Sequence, residues 1–164
     1  MNDLRQKIIN TSMAEKSMKR GFKEVGDLVE ELLLNKHPDK WVKLPLNHES
    51  GFDFWDEEFK CYVDVKTCRA SEFNNNIFIE YIQNTNNGKL SNHWSLDLDD
   101  DKNYYLFYFD TTERGFGSWW ALNWKELKET LQTSSHSVRG GYTALGDIVN
   151  ANTVACAAGC LVLS

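Results

Sequence analysis

Two carboxylates and a lysine are spaced in this chain so that a sheet would bring them together. The stretch Lys60-Cys61-Tyr62-Val63-Asp64-Val65-Lys66-Thr67 is rich in β-branched and aromatic residues and reads as a strand. Strand side chains alternate, so Asp64 and Lys66 share one face while Val63 and Val65 share the other. Upstream lies a second short apolar run, Gly51-Phe52-Asp53-Phe54-Trp55, with an acid of its own. The polar linker Asp56-Glu57-Glu58-Phe59 has the length of a hairpin connection. Antiparallel pairing of the two runs sets Asp53 beside Asp64. Two carboxylates offer the hard oxygen ligands that Mg²⁺ prefers, and an ammonium next to them can polarise a phosphate or assist an activated water.

Composition alone would produce such pairs. Acid-x-Lys occurs at Glu58/Lys60, Asp64/Lys66, Asp100/Lys102 and Glu126/Lys128. An exposed sheet face with ordinary ion pairs reads the same way. Asp64/Lys66 differs in context, because its charges interrupt a core-type strand, and such local conflicts are expected at functional sites.

With those residues in place, the chain resembles the PD-(D/E)xK nuclease superfamily, the restriction-endonuclease-like fold that includes archaeal Holliday-junction resolvases and many phage nucleases. That pattern puts an acid on one strand and acid-x-Lys on the next, after a helix carrying a glutamate. Asp53, Asp64 and Lys66 match the strand positions, without a proline before Asp53, and Gly26-Asp27-Leu28-Val29-Glu30 matches the helix start. The resemblance covers roughly residues 20 to 110 and implies a Mg²⁺-dependent endonuclease acting on DNA, with Mn²⁺ able to substitute. Asp53, Asp64 and the Val65 carbonyl would hold the metal and Lys66 would stabilise the developing charge. Glu30 and Glu80 would complete the outer coordination, with Glu24 and Glu31 as rivals to Glu30. A homodimer is one way to serve both strands of a duplex.

The elements that must position these residues follow from periodicity. Leu4, Ile8, Ile9, Met13 and Met18 recur at helical spacing over residues 2 to 18, and Phe22, Val25, Leu28, Val29, Leu32 and Leu33 do so over 22 to 36. His37-Pro38 ends the second helix. Residues 41 to 46, 51 to 55 and 60 to 67 form an antiparallel meander. Residues 77 to 82 read as a further strand with Glu80 embedded in it, either as a ligand or as an edge charge that discourages aggregation. The polar stretch 83 to 102 reads as a long loop holding Lys89, Ser91, His93 and Trp94, suited to phosphate contact and base stacking, although Trp94 can equally anchor the loop. Arg69 and Arg139 are further phosphate contacts. Tyr104 to Phe109 is continuously apolar, as in a central strand covered on both faces, and residues 117 to 122 hairpin onto it around Arg114-Gly115. Asn123 caps a helix over 124 to 131 with Glu126 at N3. Residues 133 to 141 read as a loop, and 144 to 163 as a helix followed by a final strand. The expectation is a single α/β domain over residues 1–164: an N-terminal helical arm (1–20), a core (21–122) built as a mixed sheet with an antiparallel meander, and a C-terminal packing segment (123–164).

The totals narrow the class. The 164 residues, 41% hydrophobic and 13% aromatic, suit one globular domain. No run approaches the roughly 18 apolar residues of a membrane span, and the N-terminus lacks a signal-peptide apolar region, so the chain reads as cytoplasmic, in the host cytoplasm if it is viral. Cys61, Cys68, Cys156 and Cys160 read as buried thiols rather than a disulfide framework or a zinc site. A net charge of −6 runs against the basic surface usual for nucleic-acid binding. Two other readings therefore stand beside the DNA endonuclease: a non-catalytic binding protein in which Asp64 and Lys66 are a structural pair, and an RNA-directed nuclease on the same scaffold.

Overall fold

The computed structural model describes residues 2–18, 23–84, 90–92, 104–131, 137–139 and 144–162. Two helices come first, α1 (Asn2–Met18) and α2 (Lys23–Lys36). Their apolar positions recur every three to four residues, which gathers them on one side. Ile8, Val25, Val29, Leu32 and Leu33 are buried there against Trp41, Phe54, Val63, Phe107 and Phe109.

Those aromatic and branched residues come from a six-stranded mixed sheet. Its strands are β1 (Trp41–Lys43), β2 (Phe54–Asp56), β3 (Cys61–Cys68), β6 (Tyr104–Asp110), β7 (Ser118–Asn123) and β10 (Ala157–Cys160), in that spatial order. β1, β2 and β3 form the expected antiparallel meander. β6 lies parallel to β3, with Asp64 opposite Leu106 and Lys66 opposite Tyr108. Parallel neighbours require a crossover. Here it passes through a 3-10 turn (Ala70–Phe73) and a separate four-stranded antiparallel sheet, ordered β5 (Leu90–Asn92), β4 (Asn76–Asn84), β9 (Ala144–Asn150), β8 (Ser137–Arg139). A second core joins the two sheets: Ile77 and Ile79 of β4 pack with Leu106, Tyr108, Trp120 and Leu122, together with Leu127 of α3 (Trp124–Leu131). Among the described residues no helix is long and apolar enough to cross a membrane.

The α/β class and the N-terminal helices agree with the sequence, and Asn123 does cap α3, its Oδ1 accepting from the Glu126 N–H at 3.2 Å. Several expectations are corrected. One sheet becomes two. Residues 144 to 163 do not begin as a helix: they form β9, a four-residue helix α4 (Ala151–Val154) and β10. The stretches read as loops contribute β5 and β8, because antiparallel partners supply the hydrogen bonds that their polar composition does not advertise. Met13 is exposed while Ser12 is buried, bonded to Thr111 at 3.0 Å. Cys156 and Cys160 are exposed rather than buried, since β10 is an edge strand.

The β2–β3 hairpin is held by a buried acid. Asp56 is fully buried, and its Oδ1 accepts from the Glu58 and Phe59 N–H groups at 2.8 and 2.9 Å. Its Oδ2 accepts from the Tyr105 hydroxyl, which in turn accepts from Trp41 Nε1 at 3.0 Å. This ties β1, the hairpin turn and β6 together at one point. Removing the carboxylate would leave two turn N–H groups and a phenol without their acceptor. Asp56→Ala is therefore expected to lower unfolding free energy by about 3 kcal/mol and Tyr105→Phe by about 1 kcal/mol, as measured by urea titration.

Candidate active site

The hairpin register continues one step beyond its last ladder pair. Phe54 faces Val63, so Asp53 comes opposite Asp64. The Asp53 N–H donates to the Val63 carbonyl at 3.1 Å, but the chain then turns away and β3 loses its neighbour on that side. The Val65 N–H is satisfied instead by the Asp53 carboxylate, whose Oδ2 accepts it at 2.8 Å. A side chain thus stands in for the next rung of the ladder. That rung fixes where the carboxylate sits.

Asp64 is 5% exposed, and Lys66 Nζ lies 3.2 Å from its Oδ2. The ammonium supplies charge without hydrogen-bond alignment: Oδ2 accepts no hydrogen bond from a neighbouring N–H or O–H as the side chains stand. Asp53 and Asp64 also share a side-chain hydrogen bond, which needs a proton on one of them. Burial first, then the Asp64 charge and its hydrogen bond with Asp64, pushes the Asp53 carboxyl up to about 8, against the opposing pull of the Val65 N–H and with a further push from Glu30. Burial and the Asp64 charge therefore favour the protonated form of Asp53.

Glu30 of α2 is half-buried, and burial raises its pKa. Lys43 opposes that shift, while Asp27 and Asp64 add to it, so Glu30 lies within electrostatic reach of the pair. The rival acids Glu24 and Glu31 are exposed. Among the described residues no group of three or more His, Cys, Asp or Glu side chains is gathered to hold a metal. The cluster is a pair of carboxylates with a lysine. Its donor set still fits a hard divalent cation: two oxygen ligands that repel one another, one of them a buried oxygen with no N–H aimed at it.

The remaining expected residues are dispersed. Glu80 lies on β4, its backbone opposite Gly146 in the other sheet beside a register shift, and its side chain lies outside the described residues. Ser91 is on β5 and Arg139 on β8, in that same sheet, with side chains outside the description; Lys89, His93 and Trp94 lie outside the described residues altogether. Arg69 follows β3 directly but is gripped by Glu72, Nε to Oε2 at 2.9 Å and Nη2 to Oε1 at 2.5 Å. Two neighbours were missed by the sequence reading. Lys43 bears on Glu30, and the phenol of Tyr104, already pushed up by burial, is pushed further by the Asp64 charge. The meander pairing hinted at Lys43; nothing in the sequence announced that β6 would lie parallel beside β3. Comparison with protein-family models, curated proteins and solved structures finds no match to this chain.

The raised Asp53 carboxyl has a sign that can be tested. Its folded pKa, about 8, lies above the model-peptide value near 3.8, so the folded state binds more protons between these limits. The stabilising contribution is complete below about pH 3.8 and is lost as pH rises through about 8. Asp53→Asn, which keeps an oxygen for the Val65 N–H, should then be more stable than the parent at pH 9. The gap should be on the order of 1 kcal/mol at pH 9 and should reverse in sign by pH 5, since the parent gains about 1.4 kcal/mol per pH unit below its folded pKa, by chemical denaturation at both pH values.

Proposed function

We propose that this chain is a metal-dependent phosphodiesterase acting on nucleic acid as an endonuclease, with DNA as the substrate that the resemblance favours. One observation carries the reading: Asp53 and Asp64 stand together at the break in the β2–β3 ladder, with Lys66 Nζ 3.2 Å from Asp64. The order helix, meander, crossover strand also follows the pattern of the resemblance, although a 3-10 turn and the second sheet make the crossover where a helix is usual.

Asp53, Asp64 and the Val65 carbonyl would hold Mg²⁺, or Mn²⁺ in its place. Bound there, such an ion supplies Lewis-acid polarisation of a phosphate and lowers the pKa of water. Lys66 is about one-third exposed at its side chain, 37%, so its ammonium can reach a phosphoryl oxygen while still balancing Asp64. Asp53 must release its proton to act as a ligand. Metal and proton therefore compete for it, and affinity for the ion rises as pH approaches 8. Glu30 adds negative charge from α2 and favours a cation at the pair.

A second reading has observations of its own. The Lys66–Asp64 pair and the Val65–Asp53 bond are also the contacts that a purely structural cluster in a binding protein would make. The two readings part on substitution. On the nuclease reading, Mg²⁺ or Mn²⁺ supports cutting of a panel of supercoiled plasmid, linear duplex, branched junction, single strands and RNA. Lys66→Ala and Asp64→Asn would each reduce that cutting by about a hundredfold or more while remaining folded. The preferred panel member would then distinguish DNA from RNA. No cutting with either ion, no metal-induced rise in melting temperature, and a marked loss of stability in Asp64→Asn would leave the cluster structural.

A further inference from the structure

On the face of the six-stranded sheet that carries α1 and α2, the helices leave a groove. Trp41, Tyr105, Phe107 and Trp119 line it, and it runs on to the segment around β10, where Val162 is 75% exposed. Its volume is about 860 Å³, within the range of small-molecule sites, which are mostly apolar with few polar groups. From β1 to β10 it crosses five strand intervals, roughly 24 Å at about 4.8 Å each. Aromatic and aliphatic side chains supply most of the lining, as an alkyl chain requires.

Among the described residues its charge lies at one end: Lys36, in the last turn of α2, and Lys40, just after it, line the groove there, and none of the described lining residues is an acid. Lys40 Nζ is held 5.4 Å from the Trp41 ring centre and 5.0 Å from that of Phe59; Glu58, its carboxylate partner at 3.3 Å, is exposed. Exposed pairs of that kind exchange readily. The far end is built from residues 156 to 162, within a stretch, 151 to 162, that holds no charged residue in a chain that is 26% charged.

We propose that this groove binds an amphipathic monoanion, a long-chain carboxylate with its headgroup beside Lys36 and Lys40 and its apolar chain lying over Trp41, Tyr105, Phe107 and Trp119 toward β10. The site is separate from the carboxylate pair: Asp64 alternates with Val63 along β3 and pairs with Leu106, which belongs to the opposite core. Cationic rim and apolar body together select the ligand. Neither alone would.

Isothermal titration of the full chain with dodecanoate, dodecanol and dodecylammonium, each below its micelle concentration, tests the proposal. Dodecanoate is expected to bind one to one, roughly tenfold or more tighter than dodecanol, with the ammonium weakest. The double variant Lys36→Met/Lys40→Met should erase the preference for carboxylate over alcohol. Ala121→Trp, which fills the floor, should weaken both ligands at least tenfold. If that variant fails to fold, Val162→Asp at the exposed end should weaken dodecanoate instead. The proposal is overturned by absence of saturable binding, by equal affinity for the three ligands, or by binding indifferent to all of these variants. Sedimentation revealing a stable dimer that excludes dodecanoate and dissociates on Val162→Asp would likewise overturn it, assigning the groove to a second copy of the chain.

Discussion

The candidate site depends on a single rung that the β2–β3 ladder does not supply. At the point where β2 leaves β3, the Val65 N–H loses its strand partner, and a half-buried backbone donor without an acceptor costs on the order of 1–3 kcal/mol. A carboxylate from the departing strand fills that gap. Doing so forces Asp53 up against Asp64, which the alternation of β3 has already buried. Lys66 and a retained proton offset the repulsion. Pairing, burial and charge at this point are consequences of one another.

The surrounding fold makes the arrangement hard to relax. β3 is wedged between β2 and β6, with Val63 fully buried under α2 and Leu106 packed in the opposite core. The hairpin that brings Asp53 into place is stapled at its turn by buried Asp56, itself tied to β6 through Tyr105. Sliding β2 by one residue would expose Phe54 and bury charge in its place, because strand side chains alternate. The carboxylates cannot separate without breaking one of these constraints. Burial first, and then a like charge held rigidly beside it, is what raises the Asp53 carboxyl.

What was legible in the sequence was whatever has a local cause. Alternation in residues 60 to 67 and the Asn123 cap depend on neighbours in the chain and are where they were expected, whereas the linker expected over 56–59 lies one residue later, over 57–60, because Asp56 is a buried residue of β2. The continuous apolar run of β6 was legible for the same reason, since only a strand covered on both faces tolerates it. Non-local pairing was not legible. β9 reads as Ala144-Leu-Gly-Asp-Ile-Val, with a glycine and an acid inside it, and becomes a strand because β4 and β8 flank it. β10, Ala157-Ala-Gly-Cys, has small residues of weak strand preference and is recruited by the free edge of β7, where Gly159 lets the backbone close on the Trp119 ring. Arg69 looked like a free cation because its partner Glu72 is met only through the geometry of a 3-10 turn.

On the nuclease reading, the electrostatics of the chain raise a problem that the site itself partly answers. A net charge of −6 repels a polyanion, and among the described residues Arg69 is neutralised by Glu72 and Lys43 faces Glu30. Lys66 remains, and half of its work is to balance Asp64. Protonation of Asp53 removes one negative charge, and a divalent ion at the pair would reverse the local sign. Attraction to phosphate would then be local and conditional on the ion, rather than spread over the surface as in basic DNA-binding domains. On that reading, binding and catalysis would draw on the same cation, held at the break in the β2–β3 ladder.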